Sequence, residues 1–244
     1  QGSAKFQNKL GSIYADGDGV TQCYETALAW FTLAAEQGLD VAQNNLASMY
    51  DNGEGTPKNV QTAFKWYTLA ANQGYALAQV SLGVLYAKGE GVSQDYHEMY
   101  KWFCLAADQG EAYAQYNLGY MYHHGNGSAQ DFTKANQWYQ LAAEQGMAEA
   151  QYNLGCMYAS GKGVPKSSEL VLKWFRLAAE QGHDEAQRRL LQIDLFDERH
   201  TRMLLFPHLE TEADIQLEIQ TIAEFTSAEL NFKKNFSIQS IVNS

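Results

Sequence analysis

The sequence predicts an all-α solenoid of helix–turn–helix units 36 residues long, and five features that recur in phase carry that prediction. Trp30, Trp66, Trp102, Trp138 and Trp174, all the tryptophans in the chain, each lie 36 residues after the last. Gly38, Gly74, Gly110, Gly146 and Gly182 keep the same step, as do the Ala pairs at 34–35, 70–71, 106–107, 142–143 and 178–179. Tyr14, Tyr50, Tyr86, Tyr122 and Tyr158 follow, together with double glycines from Gly17/Gly19 to Gly161/Gly163. A fixed period of a few tens of residues marks stacked repeats, whose core grows by addition of units and not by closing into a sphere.

The elements of one unit can be justified in order from residues 40–74. Ala42, Leu46 and Tyr50 fall at i, i+4 and i+8, the apolar stripe of a short first helix. Asp51-Asn52-Gly53-Glu54-Gly55 stops it, because glycine reaches the positive φ that a helix C-terminal cap requires. A second helix starts near Asn59, whose counterparts Asp95, Asp131 and Ser167 are good N-caps, whereas Cys23 is a poor one. Asp95 and Glu98 have the spacing of a capping box. Ala63, Trp66 or Tyr67, and Ala70 line one face of the second helix, with small alanines allowing close approach and bulky rings filling the adjoining space. Gln73-Gly74 ends it, and Ala78 opens the stripe of the next unit.

The tail departs from this pattern. From Arg188 the repeat fades, and Leu190 through Leu205 read as a continuing helix interrupted at Pro207. Glu210–Leu230 is predicted as a capping helix over the last seam, with a strand around Ile215–Ile219 as the competing reading. The expected division is a solenoid over 1–194 and a C-terminal capping segment and tail over 195–244.

Composition narrows the partner. The net charge of −11 disfavours bulk attraction to nucleic acid or an anionic membrane. No apolar run approaches the roughly 20 residues needed to span a bilayer, so membrane insertion is not expected. Cys23, Cys104 and Cys156 occupy different repeat phases and form no disulfide framework, which favours a cytoplasmic location. A periplasmic or secreted location follows if a signal peptide has been removed; Gln1-Gly2 is in register with Gln37-Gly38, so the chain starts at a repeat seam.

The recurring Ala-Gln-x-x-Leu-Gly-x-x-Tyr, Gly-x-Gly and Trp-(Phe/Tyr)-x-Leu-Ala-Ala-x-Gln-Gly resemble the Sel1-like repeat, a relative of the tetratricopeptide repeat. The resemblance covers about residues 1–190, five units plus the first helix of a sixth. Ala47 and Leu191 stand where the family has Gly, Met99 and Val171 where it has Ala, and Ser128 where it prefers Val. The resemblance implies a right-handed α–α superhelix whose first helices line a concave face. It also implies adaptor roles of the kind such proteins serve in signalling, protein quality control and bacterial host interaction.

Residues common to all units should be structural, so function is sought where the units differ. On the implied concave face the varying positions are Lys5, Asn8 and Ser12; Val41, Asn44 and Ser48; Leu77, Val80 and Val84; Tyr113, Tyr116 and Tyr120; Glu149, Tyr152 and Cys156; and Glu185, Arg188 and Gln192. The fourth set stands out. Tyr113, Tyr116, Tyr120 and His123 share a stripe distinct from the core stripe of Ala114, Leu118 and Tyr122. Tyrosines offer large, stiff, amphipathic contact area, a hallmark of binding hot spots. Tyr152 lies one repeat on from Tyr116, Asn44 one polar position along the same face, and Leu77, Val80 and Val84 extend it as an apolar strip. The competing reading makes Tyr116 and Tyr152 fillers between repeats. Asn45, Asn117 and Asn153, in one phase, either grip a ligand backbone or hydrogen-bond between units.

No cofactor or metal is expected. His123 and His124 point about 100° apart on a helix and are read as solvated helix-end residues. Gly-x-Gly lacks the strand and third glycine of a nucleotide fingerprint. Cys104 is read as a buried small hydrophobe, and Cys156 has no basic neighbour to make it a thiolate. With no readable catalytic constellation, the expected function is a non-catalytic bacterial scaffold or adaptor holding a protein or peptide in the concave groove. An immunity or inhibitor protein sequestering a bacterial toxin is the alternative, and a cell-wall hydrolase a more distant one.

Overall fold

The computed structural model describes residues 2–193. They form helix pairs in the order α1 (Ala4–Asp16), α2 (Tyr24–Glu36), α3 (Asp40–Asn52), α4 (Val60–Asn72), α5 (Ala76–Lys88), α6 (Tyr96–Asp108), α7 (Ala112–His124), α8 (Phe132–Glu144), α9 (Ala148–Ser160) and α10 (Ser168–Glu180). Residues 184–193 are also helical, and no strand occurs among the described residues. The predicted continuation to Leu205, the capping helix and its competing strand lie outside them. Each helix packs on its successor, so a second helix touches both its own first helix and the first helix of the next unit. This is an all-α solenoid.

The predicted turns form for the predicted reason. Gly53 caps α3 at φ +79°, its N–H reaching the Met49 carbonyl at 2.9 Å. The second glycine has a separate task. A Cβ on Gly55 would lie 2.5 Å from the Tyr24 carbonyl carbon and oxygen, and one on Gly163 would lie 2.4 Å from those of Phe132. Only glycine lets the turn pass against the start of the preceding unit's second helix. The recurrent tyrosines then tie the turn down: the Asn59 N–H donates to the Tyr50 carbonyl at 2.7 Å and that of Asp131 to Tyr122 at 2.9 Å. Asn59, Asp95, Asp131 and Ser167 cap their helices through side chains, and Cys23 makes no such cap bond. The capping box is half-formed. Asp95 accepts from the His97 and Glu98 N–H groups, but its own N–H goes to the Tyr86 carbonyl and Glu98 pairs with Lys101.

Alanines at 42, 78, 114 and 150 and leucines at 46, 82, 118 and 154 are almost fully buried, with the second-helix alanines against them. The first-helix glycines make room for rings. A Cβ on Gly119 would lie 2.6 Å from Tyr139, on Gly83 2.7 Å from Phe103, and on Gly155 2.4 Å from Phe175. At the equivalent place in the second unit Ala47 is accommodated beside Tyr67, without change of fold.

A polar ladder runs through these seams. Gln43, Gln79, Gln115 and Gln151 are buried. Each donates to an alanine carbonyl at the end of the preceding second helix, for example Gln115 to Ala107 at 3.3 Å. Each also accepts from a glutamine 30 residues later: Gln73 to Gln43 at 2.7 Å, and Gln109 to Gln79, Gln145 to Gln115 and Gln181 to Gln151 at 2.8 Å. A buried amide is costly unless bonded, so this ladder fixes the register between units.

Candidate functional site

The varying face is carried by α1, α3, α5, α7 and α9, and side-chain bonds set neighbouring first helices side by side. Asn45 Nδ2 donates to Asn8 Oδ1 at 3.1 Å across a separation of 37 residues. Asn153 bonds the Tyr116 hydroxyl at the same offset. Asn117 instead donates to the Tyr113 carbonyl of its own helix at 2.7 Å. Two of these three asparagines therefore join units through side chains.

The predicted stripe on α7 divides by burial. Tyr113 and Tyr120 are 46% and 42% exposed, and Leu77 on α5 is 48% exposed, so all three offer contact area to solvent. Tyr116 is half-buried, its ring 5.8 Å from that of the core residue Tyr139. Desolvation raises its hydroxyl's pKa, the Asn153 bond opposes this, and the nearby Glu149, Tyr120 and Tyr113 raise it further. Tyr152 is also half-buried, stacked against Phe175 at 5.6 Å and His183 at 4.6 Å. Tyr116 and Tyr152 thus act as packing between elements, with only part of each ring at the surface. Val80 and Val84 lean on the cluster of Met99 and Phe103 in the same way. Asn44 is half-buried, its Oδ1 enclosed without a hydrogen-bond partner among the described residues.

His123 and His124 are not two solvated side chains pointing apart. Their rings stack at 4.8 Å and 20°, and His124 also lies 4.1 Å from Tyr120. His123 is half-buried, edge-on to Phe132 at 5.3 Å, with Nδ1 enclosed and unpaired among the described residues. Side-chain rotation about χ1 brings together rings whose Cα–Cβ bonds diverge. Burial lowers the His123 pKa, and the positive charges available on His124 and Lys162 lower it further. The helix-end dipole does not prevail there.

The remaining chemistry is sparse. Cys104 is half-buried and bonded to Tyr100, its thiol pKa raised chiefly by burial. The Tyr100 and Tyr122 hydroxyls lie 2.7 Å apart. No group of three or more potential metal ligands occurs among the described residues, and no helix there is long and apolar enough to cross a membrane. Sequence reasoning placed Glu149 on the varying face but gave it no role; its position beside Tyr116 needed the offset between α7 and α9.

Comparison with protein families matches the Sel1 repeat at residues 4–39, 40–75, 76–111, 112–147 and 148–183. The chain belongs to the Sel1 repeat family. Sel1 repeat proteins generally mediate protein–protein interaction and are typically non-catalytic scaffolds. Among solved structures, the chain is 40% identical to c5321, described as a protective antigen of uropathogenic Escherichia coli with this fold (TM-score 0.77). That match covers 80% of this chain but 42% of the other, so the chain spans less than half of that protein. A Sel1 repeat protein from Oxalobacter formigenes is 37% identical over 78% of each chain, with a TM-score of 0.74. The Pseudomonas aeruginosa immunity protein Pa5087 is 21% identical over 74% of this chain and 83% of its own, with a TM-score of 0.40, too slight a likeness to bear on function. No curated protein matches.

Proposed function

We propose that this Sel1 repeat protein is a non-catalytic scaffold that docks another protein on the first-helix face, with Tyr113 and Tyr120 as its anchors. The observation that carries this reading is the 46% and 42% exposure of these two tyrosines, with Leu77 at 48%, on helices whose opposite faces are closed. A ring held at its base and open at its rim gives contact area with little further ordering cost. Tyr116, Tyr152, Val80 and Val84 form the floor, and His123 buttresses His124 and hence Tyr120. Affinity capture from extracts of the source organism tests this. A protein retained by the wild type and lost with Tyr113→Ala/Tyr120→Ala, at unchanged helicity and with stability within about 0.5 kcal/mol, is the expected result. Equal retention removes the face from consideration.

A further inference from the structure

The chemistry of the α7–α9 face specifies what it receives. Tyr113 and Tyr120 stand out from α7 on either side of the partly covered Tyr116. Asn153 of α9 bonds Tyr116, and Glu149 lies one helical turn before Asn153 on the same side of α9. Tyr113 lies three residues before Tyr116 on α7. The Asn153–Tyr116 bond sets α9 beside α7 at an offset of 37 residues, so Glu149 comes level with the Tyr113 end of the tyrosine row. Glu149 is exposed, and among the described residues no cation is paired with it. Neither α7 nor α9 contains a lysine or arginine. The chain as a whole carries −11.

A row of tyrosine faces with one free carboxylate at its end is complementary to a flat cation. The ring quadrupole attracts positive charge over its face, and a guanidinium can stack there while giving two parallel hydrogen bonds to a carboxylate. An ammonium supplies the charge but not the plane. A carboxylate-bearing segment would meet Glu149 and the chain's own negative field, whereas Lys162, the cation that acts on the row, lies by His123 at its other end.

Resting on the docking reading above, we propose that this face receives an arginine side chain of the partner protein, stacked on Tyr113 and paired with Glu149. Apolar residues flanking that arginine would contact Tyr120 and Leu77.

The probe is the peptide acetyl-Leu-Leu-Arg-Leu-Leu-amide, compared with the same peptide carrying citrulline, which keeps the shape and loses the charge. Binding to the full chain is followed through the ring resonances of Tyr113, Tyr116 and Tyr120. The arginine peptide is expected to bind about fivefold or more tightly than the citrulline peptide, the range of a partly desolvated cation–π contact with a carboxylate. Glu149→Gln is expected to remove most of that preference while leaving citrulline binding and the circular dichroism spectrum unchanged. Equal affinity for the two peptides overturns the arginine inference, as does an arginine preference untouched by Glu149→Gln or shifts confined to other helices. The docking reading is judged separately, by capture with the double tyrosine variant. A partner lost there but retained in full by Glu149→Gln leaves that reading standing and this one refuted.

Discussion

The second and fourth units share one frame and differ on one face. Ala42, Gln43 and Leu46 of α3 have the burial and bonds of Ala114, Gln115 and Leu118 of α7. Yet Val41, Asn44, Ser48 and Asp51 stand where the fourth unit has Tyr113, Tyr116, Tyr120 and His123. The difference reaches the core. In the second unit Ala47 meets Tyr67, whose hydroxyl is bonded by Ser81 and Ser48. In the fourth, Gly119 meets Tyr139, whose hydroxyl pKa is raised, first by desolvation and then by Tyr116 and Tyr120. Positions that hold one unit to the next are kept alike, while positions facing outward are free to acquire a surface.

Exchange of the small residues breaks this comparison most strongly. Gly119→Ala places a methyl 2.6 Å from the Tyr139 ring and is expected to cost about 2–3 kcal/mol, read as a lowered urea midpoint. Ala47→Gly should cost only about 1 kcal/mol, the helix-propensity difference. If both cost the same, the close ring approach is not what requires glycine. Gln115→Leu removes an acceptor from Gln145 and a donor from Ala107, and should lose about 2 kcal/mol by the same measurement. Gln43→Leu should lose a similar amount, because the ladder belongs to the shared frame.

The smallest effect is specific to the fourth unit. The His123 pKa is lowered in the folded chain relative to its ordinary value of 6.5. The unfolded chain therefore binds this proton more readily, so the stabilising contribution is complete above that value and is lost as pH falls below it. The urea midpoint of the wild type should decline on acidification from pH 7.5 to pH 5 more than that of His123→Ala, which resembles the first, third and fifth units at this position. Parallel declines would show that His123 does not titrate against its surroundings.

The fold was legible because every local signal recurred in register. Asn59, Asp131 and Ser167 cap as expected, and Gly53 and its equivalents end helices by a left-handed turn. The candidate face was legible in position and not in depth. Tyr113 and Tyr120 stand out from it, but Tyr116, Tyr152, Val80 and Val84 settle onto rings of the following second helix. The stacked histidines escaped sequence reasoning because helical spacing fixes where Cβ points and leaves χ1 open. The glutamine ladder was visible as a repeated letter with no assigned task; its bonds join residues 30 apart and need the assembled array.

By itself the sequence determined the period, the pairing of helices, the caps and the family, since each follows from local propensities or from spacings that recur along the chain. Only the tertiary structure decided which outward residues are surface and which are packing. Burial is set by neighbours between about two thirds of a repeat and a full repeat away, as Phe175 lies under Tyr152 and Asn153 sits on Tyr116, and local periodicity does not encode how deeply two such side chains interlock.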